Sequence, residues 1–559
     1  MARAAEPPPV FPSESLVVTV RPSPLAPLKH QTYRSIWIAN LASSFGALIQ
    51  GVGAAWLMTS IADSVDMVAL VQASISLPIM LFSLVGGAMA DSFNRRRVML
   101  AAQCFMLVVS AALAAGTYLG LITPWTLLAF TFLIGCGTAL NNPAWQASVG
   151  DLVPRDDLPA AVALNSIGFN LSRSVGPAVG GAIVAVAGAA AAFALNTVSY
   201  FALIFVLWRW RPQQVPRKLP REAMFTAMRA GLRYVAMSPN LGKVLLRSFA
   251  FGVTASAVLA LLPVVAATLL GGGPLTYGLL LGAFGIGAVG GALLSARLQQ
   301  AISSEAIVRI AFIGFAVCAA VAAVSPFTLA TAGAMLLGGA CWVLALSLFN
   351  VTVQMSTPRW VVGRALSIYQ TATFGGLAVG SWLWGIAAEE YGVSAALLIA
   401  GASMLVGGAL GLVYALPKAI ALNLDPADRW REPHLEIDLQ PRSGPIVVSI
   451  EYIIDSENVA AFLDAMIDRK RIRRRDGARR WTLMRDLEHP EIWIESFQTP
   501  TWVEYVRHSQ RMTKADTGIS ERLHALHRGP EGPRVRRAIE RPPSWFASPA
   551  GGKSTIDPH

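Results

Sequence analysis

Charged residues are scarce in this sequence. Asp, Glu, Lys and Arg make up 14% of its 559 residues, whereas hydrophobic residues make up 54%. A soluble core of this size cannot bury so much apolar surface, and so few charges cannot keep the chain soluble. The stretches 98–150, 248–296 and 310–358 contain no charged residue at all. Since one crossing of a bilayer takes about 20 apolar residues, each stretch is long enough for two transmembrane helices.

Cysteine and histidine are also scarce. The four cysteines, Cys104, Cys136, Cys318 and Cys341, lie in apolar stretches without the spacing of a metal or redox motif, so we interpret them as packing residues and expect no metal or cofactor. The seven histidines lie outside the predicted spans, and no span has an Asp or Glu near its centre. The side chains that usually carry a coupling proton through a membrane are therefore missing from the pattern.

Turn signals divide the apolar stretches into predicted membrane spans. The clearest are Thr123-Pro124, Gly188, Gly271 to Pro274 and Ser325-Pro326. The first 30 residues lack a basic segment followed by an apolar one, so we expect no cleaved signal and a disordered tail at 1–30. Twelve spans are predicted, at about 35–60, 68–90, 98–120, 126–148, 160–186, 189–208, 248–270, 275–296, 306–324, 328–354, 363–387 and 393–416.

Lys and Arg lie almost entirely on one side of the predicted bundle. The turns on that side and the segment 209–247 are cationic, whereas the turns on the other side carry only Asp63, Asp66, Glu389 and Glu390. Because cationic loops stay in the cytoplasm, the sequence predicts a multi-pass inner-membrane protein with both termini cytoplasmic. Residues 1–418 hold 23 basic and 12 acidic residues, so most of the net charge of +12 reflects this topology. We expect no nucleic-acid partner.

One motif recurs 204 residues further along the chain. The stretch 86–97 ends in three arginines, and its counterpart 290–297 keeps the two glycines and one arginine. This repeat predicts two parallel six-helix halves, 31–208 and 248–418, joined by a linker at 209–247. The linker contains an amphipathic stretch, 222–235, which is either a helix on the inner leaflet or a solvated connector. The same ungapped offset pairs Gly135 with Gly339, Pro154-Arg155 with Pro358-Arg359, Gly176 with Gly380, and Gly181 with Gly385.

Several local motifs resemble the major facilitator superfamily over about residues 30–418. The chain is similar to the drug:proton antiporter branch, which includes siderophore exporters and is often labelled transmembrane secretion effector. The superfamily pattern Gly-x-x-x-Asp-Arg-x-Gly-Arg-[Arg/Lys] is altered here, because Ser92 and Asn94 replace its first Arg and second Gly. The resemblance implies an all-α membrane fold of twelve helices. The motifs are 33–40 opening the first span, 87–100 between the second and third, 142–146 ending the fourth, and 163–166 and 176–181 in the fifth.

The resemblance also implies a gate of charged residues on the cytoplasmic side. Asp91 is expected to reach Arg364 in the other half, and Asp151 is expected to pair with Arg95 or Arg96. Breaking such a pair would shift the population between the two access states. The alternative is that these charges only cap helices and determine topology. The resemblance further implies tight helix packing at Gly87, Gly176, Pro177, Gly180 and Gly181.

Arg173 is the only charged residue near the middle of a predicted span. An arginine inside a membrane is costly and is usually functional. It is expected either to recognise a substrate or anion in the cavity or to bridge backbone carbonyls, and the pattern does not decide between them. The family architecture favours spans 1, 4, 7 and 10 as the walls of the pathway. The polar residues expected there are Gln50, Asn142, Gln146, Asn350 and Gln354.

The composition becomes that of a soluble protein after residue 418. We predict a linker at 419–445, a ferredoxin-like β-α-β-β-α domain at 446–540 that segment 534–539 completes as a last strand, and a disordered tail at 541–559. Through Glu495, Trp502 and His508 the domain resembles the antibiotic-biosynthesis monooxygenase fold. A packing or self-association module is favoured over catalysis. The basic run 469–475 is a candidate contact with membrane lipid.

These observations favour a secondary active transporter over other classes of protein. We expect it to export a hydrophobic, siderophore-like or drug-like small molecule by alternating access, with protons as the candidate coupling ion. The alternative is a membrane-tethered, cofactor-free monooxygenase-like enzyme with the helices as its anchor. Twelve duplicated helices exceed what an anchor needs, so this alternative is less favoured.

Overall fold

The computed structural model describes residues 25–211, 224–416, 424–425, 427 and 433–541, without the side chains of residues 91, 92 and 155. The tails predicted at 1–30 and 541–559 and the linkers predicted at 209–247 and 419–445 lie partly outside these residues. The described chain forms a large helical bundle, followed by a small domain with one sheet.

Five long helices make up the first half of the bundle. They begin and end close to the turn signals of the sequence, and Thr123 caps the fourth helix through a reciprocal hydrogen-bond pair with Thr126. The fifth helix is broken at Gly188, whose φ of 76° is a conformation that glycine adopts without strain. The predicted turn at Gly188 is therefore confirmed as a break in the helix, whereas its role in separating two membrane spans stays a prediction. The helices are α1 (Gln31–Ile61), α2 (Val65–Ser92), α3 (Arg95–Tyr118), α4 (Pro124–Leu152) and α5 (Leu158–Arg209).

A short amphipathic helix and six long helices follow. The first long helix begins at Pro239, whereas the sequence placed its first membrane residue at 248, because the basic residues Lys243 and Arg247 lie inside the helix. The helices are α6 (Met224–Ala236), α7 (Pro239–Val264), α8 (Pro274–Ala301), α9 (Ser304–Val324), α10 (Thr328–Met355), α11 (Val362–Tyr391) and α12 (Val393–Val413).

Ten helices of the described residues are long and apolar enough to cross a membrane. One of them is the 52-residue α5, which is about 78 Å long at 1.5 Å per residue and would far exceed a bilayer without its break at Gly188. Helix α11 is not among the ten, since its charge-free stretch 365–388 is rich in glycine, serine and threonine, which lower its apolar content. A multi-span helical membrane protein is thus confirmed, and the count of twelve crossings stays a prediction.

Glycines related by the predicted repeat make equivalent contacts in the two halves. Gly176 packs α5 against Leu48 of α1, and Gly380 packs α11 against Val253 of α7. Gly181 packs α5 against α8 in the other half, and its counterpart Gly385 packs α11 against α2. The pairs α5 with α8 and α2 with α11 therefore join the two halves, and they do so through residues with no side chain to separate the backbones.

The C-terminal domain has the element order that the sequence predicts, with the last helix split in two. Its sheet is antiparallel with strand order β2-β3-β1-β4. Alternate residues of the first strand, from Ile446 to Tyr452, are buried against Phe462 and its neighbours on the first helix. The elements are β1 (Ile446–Ile453), α13 (Val459–Asp476), β2 (Arg479–Arg485), β3 (Ile492–Thr499), α14 (Trp502–Gln510), α15 (Lys514–Leu526) and β4 (Arg534–Ile539).

Helix α6 lies between the membrane bundle and the C-terminal domain. On the bundle side, a Cβ atom added to Gly231 would lie 2.7 Å from Cβ of Arg364 on α11. On the domain side, Arg233 donates a hydrogen bond to the carbonyl of Arg475 at 3.2 Å. The same domain helix also reaches the bundle through Arg471, which donates to the carbonyl of Met237 at 3.0 Å. The amphipathic linker is therefore not a free connector, because protein covers two of its sides, and its contact with the inner leaflet stays a prediction.

Candidate functional site

The turn between α2 and α3 is tied to the rest of the first half by its arginines. Arg95 donates to Asp151 Oδ2 at 2.7 Å and to the carbonyl of Ala147 at 2.6 Å, both at the end of α4. Arg96 donates to the carbonyls of Leu207 and Trp208 at the end of α5, a position where a helix dipole favours a cation. The pair of Asp151 with Arg95 is confirmed as a contact. It lies within one half, however, so it cannot join the halves.

Asn94 explains one departure from the superfamily pattern in this turn. Its side-chain oxygen accepts a hydrogen bond from the backbone N–H of Arg97 at 3.4 Å and so caps the start of α3. We refer to the side of the bundle that carries Arg95 to Arg97 and α6 as the basic end.

A cavity of about 280 Å³ opens between α2, α4 and α11 near the basic end. Asn142 and Gln146 of α4 line it, and Arg364 of α11 lies on the facing wall. Gly87 of α2 also lines it, and an added Cβ atom there would lie 2.8 Å from Ser367 Oγ of α11. The two predicted amides of α4 therefore face a cavity between the halves. The side chain of Asp91 lies outside the described residues, so its pairing with Arg364 stays a prediction.

Arg173 projects from α5 of the first half towards aromatic side chains of the second half. Its guanidinium carbon lies 5.3 Å from the ring centre of Phe284 on α8 and 5.5 Å from that of Trp342 on α10. Among the described residues, no carboxylate lies within ion-pair distance of it and no carbonyl accepts a hydrogen bond from it. Of its two predicted roles, the geometry does not support the bridge to backbone carbonyls. It presents a cation that lies against two neighbouring rings of the other half, whose centres are 6.0 Å apart.

Gln50 does not lie on the pathway that the sequence assigned to it. It is buried between α1, α3 and α5, where its side-chain oxygen accepts hydrogen bonds from Ser110 Oγ at 2.9 Å and from the amide of Asn196. A buried amide needs such partners, so Gln50 serves helix packing, and its assignment to the cavity is wrong. Gln354 donates to Asn350 one turn away on α10, and neither residue lines the cavity described above.

The small residues predicted for helix packing all lie in contacts between helices. Gly176 and Gly180 meet α1, where an added Cβ atom on Gly180 would lie 3.0 Å from Cα of Ile49. The carbonyl of Pro177 and the backbone of Gly181 meet Gly278 of α8. An added Cβ atom on Gly181 would lie 2.6 Å from the carbonyl oxygen of Pro274. The part of α5 that precedes Gly188 is therefore in close contact with α8.

A contact between the halves at the end opposite the basic end was not predicted. Glu389, near the end of α11, accepts a hydrogen bond from the backbone N–H of Val65 at the start of α2. A carboxylate is favoured there by the orphan N–H groups and the helix dipole. Four residues earlier, Gly385 packs against the backbone of Asp66. The sequence showed acidic residues on both turns but not which of them reaches the other half.

Sequence reasoning also missed a buried ion pair at the basic end. Arg247 of α7 is fully buried and donates to both carboxylate oxygens of Glu305 at 3.0 Å. Glu305, on the first turn of α9, also accepts from Arg309 and from the backbone N–H of Leu416. The one sequence signal was that Arg247 lies inside the apolar run 244–262. The predicted linker, 209–247, instead ended at this arginine. The pair joins α7, α9 and the segment after α12.

In the basic run 469–475 of the C-terminal domain, three arginines pack against protein: Arg469, Arg473 and Arg475. Arg469 and Arg473 point into the domain and lie near Glu495. Arg475 pairs with Asp476 and Asp516 and lies over the ring of Tyr234, 5.4 Å from its centre. These three side chains are therefore occupied by the domain and α6. Lys470, Arg471 and Arg474 of the same run are exposed, and the lipid contact predicted for the run stays a prediction.

Comparison with solved structures identifies the fold of the membrane part. The nucleoside transporter NupG superposes with a TM-score of 0.55 and 11% identity, covering 69% of this chain and all of that one. A bacterial homolog of the human lysosomal transporter Spinster, in an inward-facing and occupied conformation, gives 0.55 and 11% over 70% of this chain and 97% of that one. Both likenesses show that the membrane part shares the fold of these transporters.

The family model of the transmembrane secretion effectors matches residues 22–543. The chain belongs to this family. The enterobactin exporter EntS of Salmonella choleraesuis is 26% identical over 362 residues, which cover 64% of this chain and 85% of that protein. The uncharacterized MFS-type transporter YfiS of Bacillus subtilis is 26% identical over 381 residues, 64% of this chain and 86% of that protein. The resemblance to the major facilitator transporters is thus confirmed, and the family match extends over the C-terminal domain, whose resemblance to the monooxygenase fold stays a prediction.

Proposed function

We propose that the protein exports a small, amphiphilic molecule carrying a negative charge across the inner membrane. Arg173 is the observation that supports this most strongly. A cation that lies against Phe284 and Trp342, with no carboxylate beside it among the described residues, suits an anionic group next to an aromatic or apolar body. The enterobactin exporters among the relatives are named for a siderophore, which is consistent with such a substrate.

The direction of opening supports alternating access. At the end opposite the basic end, the halves are joined by Glu389 with Val65, by Gly385 with Asp66, and by Gly181 with Gly278. The cavity lined by Asn142 and Gln146 lies towards the basic end. We propose that the basic end faces the cytoplasm, as its arginines favour, so the structure corresponds to a state that loads substrate from inside. Rocking of the halves would then expose Arg173 to the outside.

Coupling to protons is part of the proposal. The candidate carboxylates are Asp91 at the basic end and Asp63 and Asp66 at the opposite end, and protonation of the substrate itself is the alternative. Asp66 lies at the backbone contact that Gly385 makes, so a change in its charge would act where the halves close. The roles of the C-terminal domain as a packing or self-association module remain predictions.

Transport into inside-out membrane vesicles tests the proposal. Vesicles containing the protein should accumulate a catecholate siderophore when a pH gradient is present, and vesicles containing Arg173→Gln should not. Arg297→Gln removes an exposed arginine of α8 and serves as the matched control. Uptake that persists after the pH gradient is collapsed would rule out proton exchange while leaving export intact. Equal uptake by wild type and Arg173→Gln would rule out the anion-binding role of Arg173.

A further inference from the structure

The C-terminal domain contains a second cavity that the transport pathway does not use. It encloses about 740 Å³ between one face of the sheet, α13, α14 and the segment after α10, within the size range of small-molecule sites. Five arginines line it, and none of the lining residues in the described part of the chain is acidic. The arginines are Arg469, Arg473, Arg507, Arg511 and Arg537.

Buried positive charge at the floor of this cavity exceeds the buried negative charge. Arg473 donates to Glu495 Oε1 at 3.1 Å, and Nε of Arg469 lies 3.6 Å from Oε2 of the same carboxylate. Both arginine side chains are over nine-tenths buried, and Nε of Arg469 makes no hydrogen bond in the described structure. Glu495 is already occupied, because Trp481 and Tyr452 also donate to it. One carboxylate thus serves two guanidinium groups, an arrangement that an added anion would stabilise.

The ionisation of these groups agrees with an excess of positive charge. Burial, and next the charge of Arg469, lowers the pKa of Arg473. Burial opposes ionisation of Glu495, but Arg473 and Arg469 outweigh it and hold its pKa below the usual value. Burial and then Arg473 hold the pKa of His508 well below its usual value, so the ring is neutral and its Nε2 accepts a hydrogen bond from Arg473 at 3.2 Å. Arg473 thus keeps its bonds to Glu495 and His508, and Nε of Arg469 is the buried donor that a second anion could satisfy.

Aromatic rings surround the same cations. Arg473 lies over Phe497, 4.3 Å from the ring centre, and Arg511 lies equally close over Trp360. Tyr452 and Tyr505 complete the aromatic part of the lining. Flat apolar surface next to guanidinium groups suits a ligand with an aromatic ring and an acidic substituent.

We propose that this cavity binds a small aromatic carboxylate, with the carboxylate at Arg469 and Arg473 and the ring against Phe497 and Trp360. Trp360 belongs to the loop between α10 and α11 of the transporter, and its ring meets that of Tyr234 on α6 at a centre distance of 5.7 Å. A ligand in the C-terminal domain therefore touches a residue of the membrane bundle. This site lies outside the proposed export pathway, and its occupancy can be measured without any transport.

Calorimetric titration of the purified full-length protein with 1-naphthoate tests the proposal. The neutral isostere 1-naphthamide should bind at least about tenfold more weakly, since a charge-assisted hydrogen bond contributes about 1.5–3 kcal/mol. Arg469→Gln should weaken naphthoate binding by a similar factor. Arg474→Gln, an exposed arginine on the same helix, should leave it unchanged. The comparison of naphthoate with naphthamide uses wild-type protein and so does not depend on whether a variant folds.

Four results would overturn the proposal. Equal binding of naphthoate and naphthamide would remove the role of the arginines, and absence of naphthoate binding would exclude this ligand class. Loss of binding in Arg173→Gln with full binding in Arg469→Gln would place the ligand in the transport pathway instead. If inorganic phosphate bound with the same affinity as naphthoate, the cavity would be a simple anion site without an aromatic part.

Discussion

Glu389 Oε2 accepts a hydrogen bond from the backbone N–H of Val65 at 2.7 Å, joining the last turn of α11 to the first turn of α2. Because these helices belong to different halves, the proposed alternating access would break this bond whenever this end opens. Glu389→Ala should therefore shift the population towards the state open at this end. A carboxylate at a helix N-terminus contributes about 0.3–1 kcal/mol, which corresponds to roughly a two- to fivefold change in the ratio of states.

Pulsed electron resonance between spin labels at positions 60 and 391 measures this shift. A longer distance should gain population in Glu389→Ala. Glu390→Ala removes the neighbouring exposed carboxylate, which makes no such bond in the described structure, and should behave as the unsubstituted protein. The same distance distribution in all three proteins would mean that Glu389 does not hold this end closed.

Gly181 permits a close approach of the two halves through α5 and α8. A leucine there would place Cβ 2.6 Å from the carbonyl oxygen of Pro274 and 3.0 Å from Cα of Gly278. Such overpacking costs about 1–3 kcal/mol, and it acts only where the helices are in contact. Gly181→Leu should thus lower the transport rate several-fold. In Gly290→Leu the added Cβ meets no atom within 4 Å, so its transport rate should be near normal, and a similar loss in both would contradict this explanation.

Substituting Arg173 should change selectivity rather than folding. The guanidinium of Arg173 lies against Phe284 and Trp342, and in the described structure no buried carboxylate lies beside it. Arg173→Gln therefore leaves no buried carboxylate unpaired. Transport of an acidic substrate should fall by about tenfold or more, whereas a neutral analogue should be much less affected. Arg173→Lys should keep part of the activity, because it keeps the charge but not the planar group that stacks. Competition between the acid and its amide measures the difference.

Arg247 should be among the most sensitive charged positions for stability. Removing one partner of a buried pair costs about 3–5 kcal/mol, and Arg247→Leu would leave Glu305, whose side chain is only 14% exposed, without its buried partner. Arg309→Leu removes the other arginine from the same carboxylate. Since that side chain is 39% exposed, its pair contributes only about 0–1 kcal/mol. Thermal unfolding in detergent should show a large decrease for the first variant and a small one for the second; equal decreases would contradict the assignment.

Local features of the chain were predictable because they depend on neighbouring residues. Charge-free stretches located the membrane helices, and Gly188 marked the break in α5 because a positive φ favours glycine. The repeat identified Gly181 and Gly385 as equivalent, and both join the halves. Asn142 and Gln146 could be assigned to a cavity because the family architecture places α4 there.

Contacts between distant segments were not predictable in the same way. Gln50 and Asn142 are both amides in apolar helices, and only the positions of Ser110 and Asn196 make the first a packing residue. Glu389 appeared as one of several acidic residues on a turn, and its partner is a backbone N–H, which leaves no trace in the sequence. Helix-face patterns also cannot show that α6 is covered on both sides.

The most direct test of the proposed export compares small molecules inside and outside cells with and without the protein. At least one acidic, amphiphilic compound should be retained inside cells that lack it, and wild-type protein but not Arg173→Gln should restore its release. No difference in any small molecule, or a compound that is depleted inside cells lacking the protein, would contradict export.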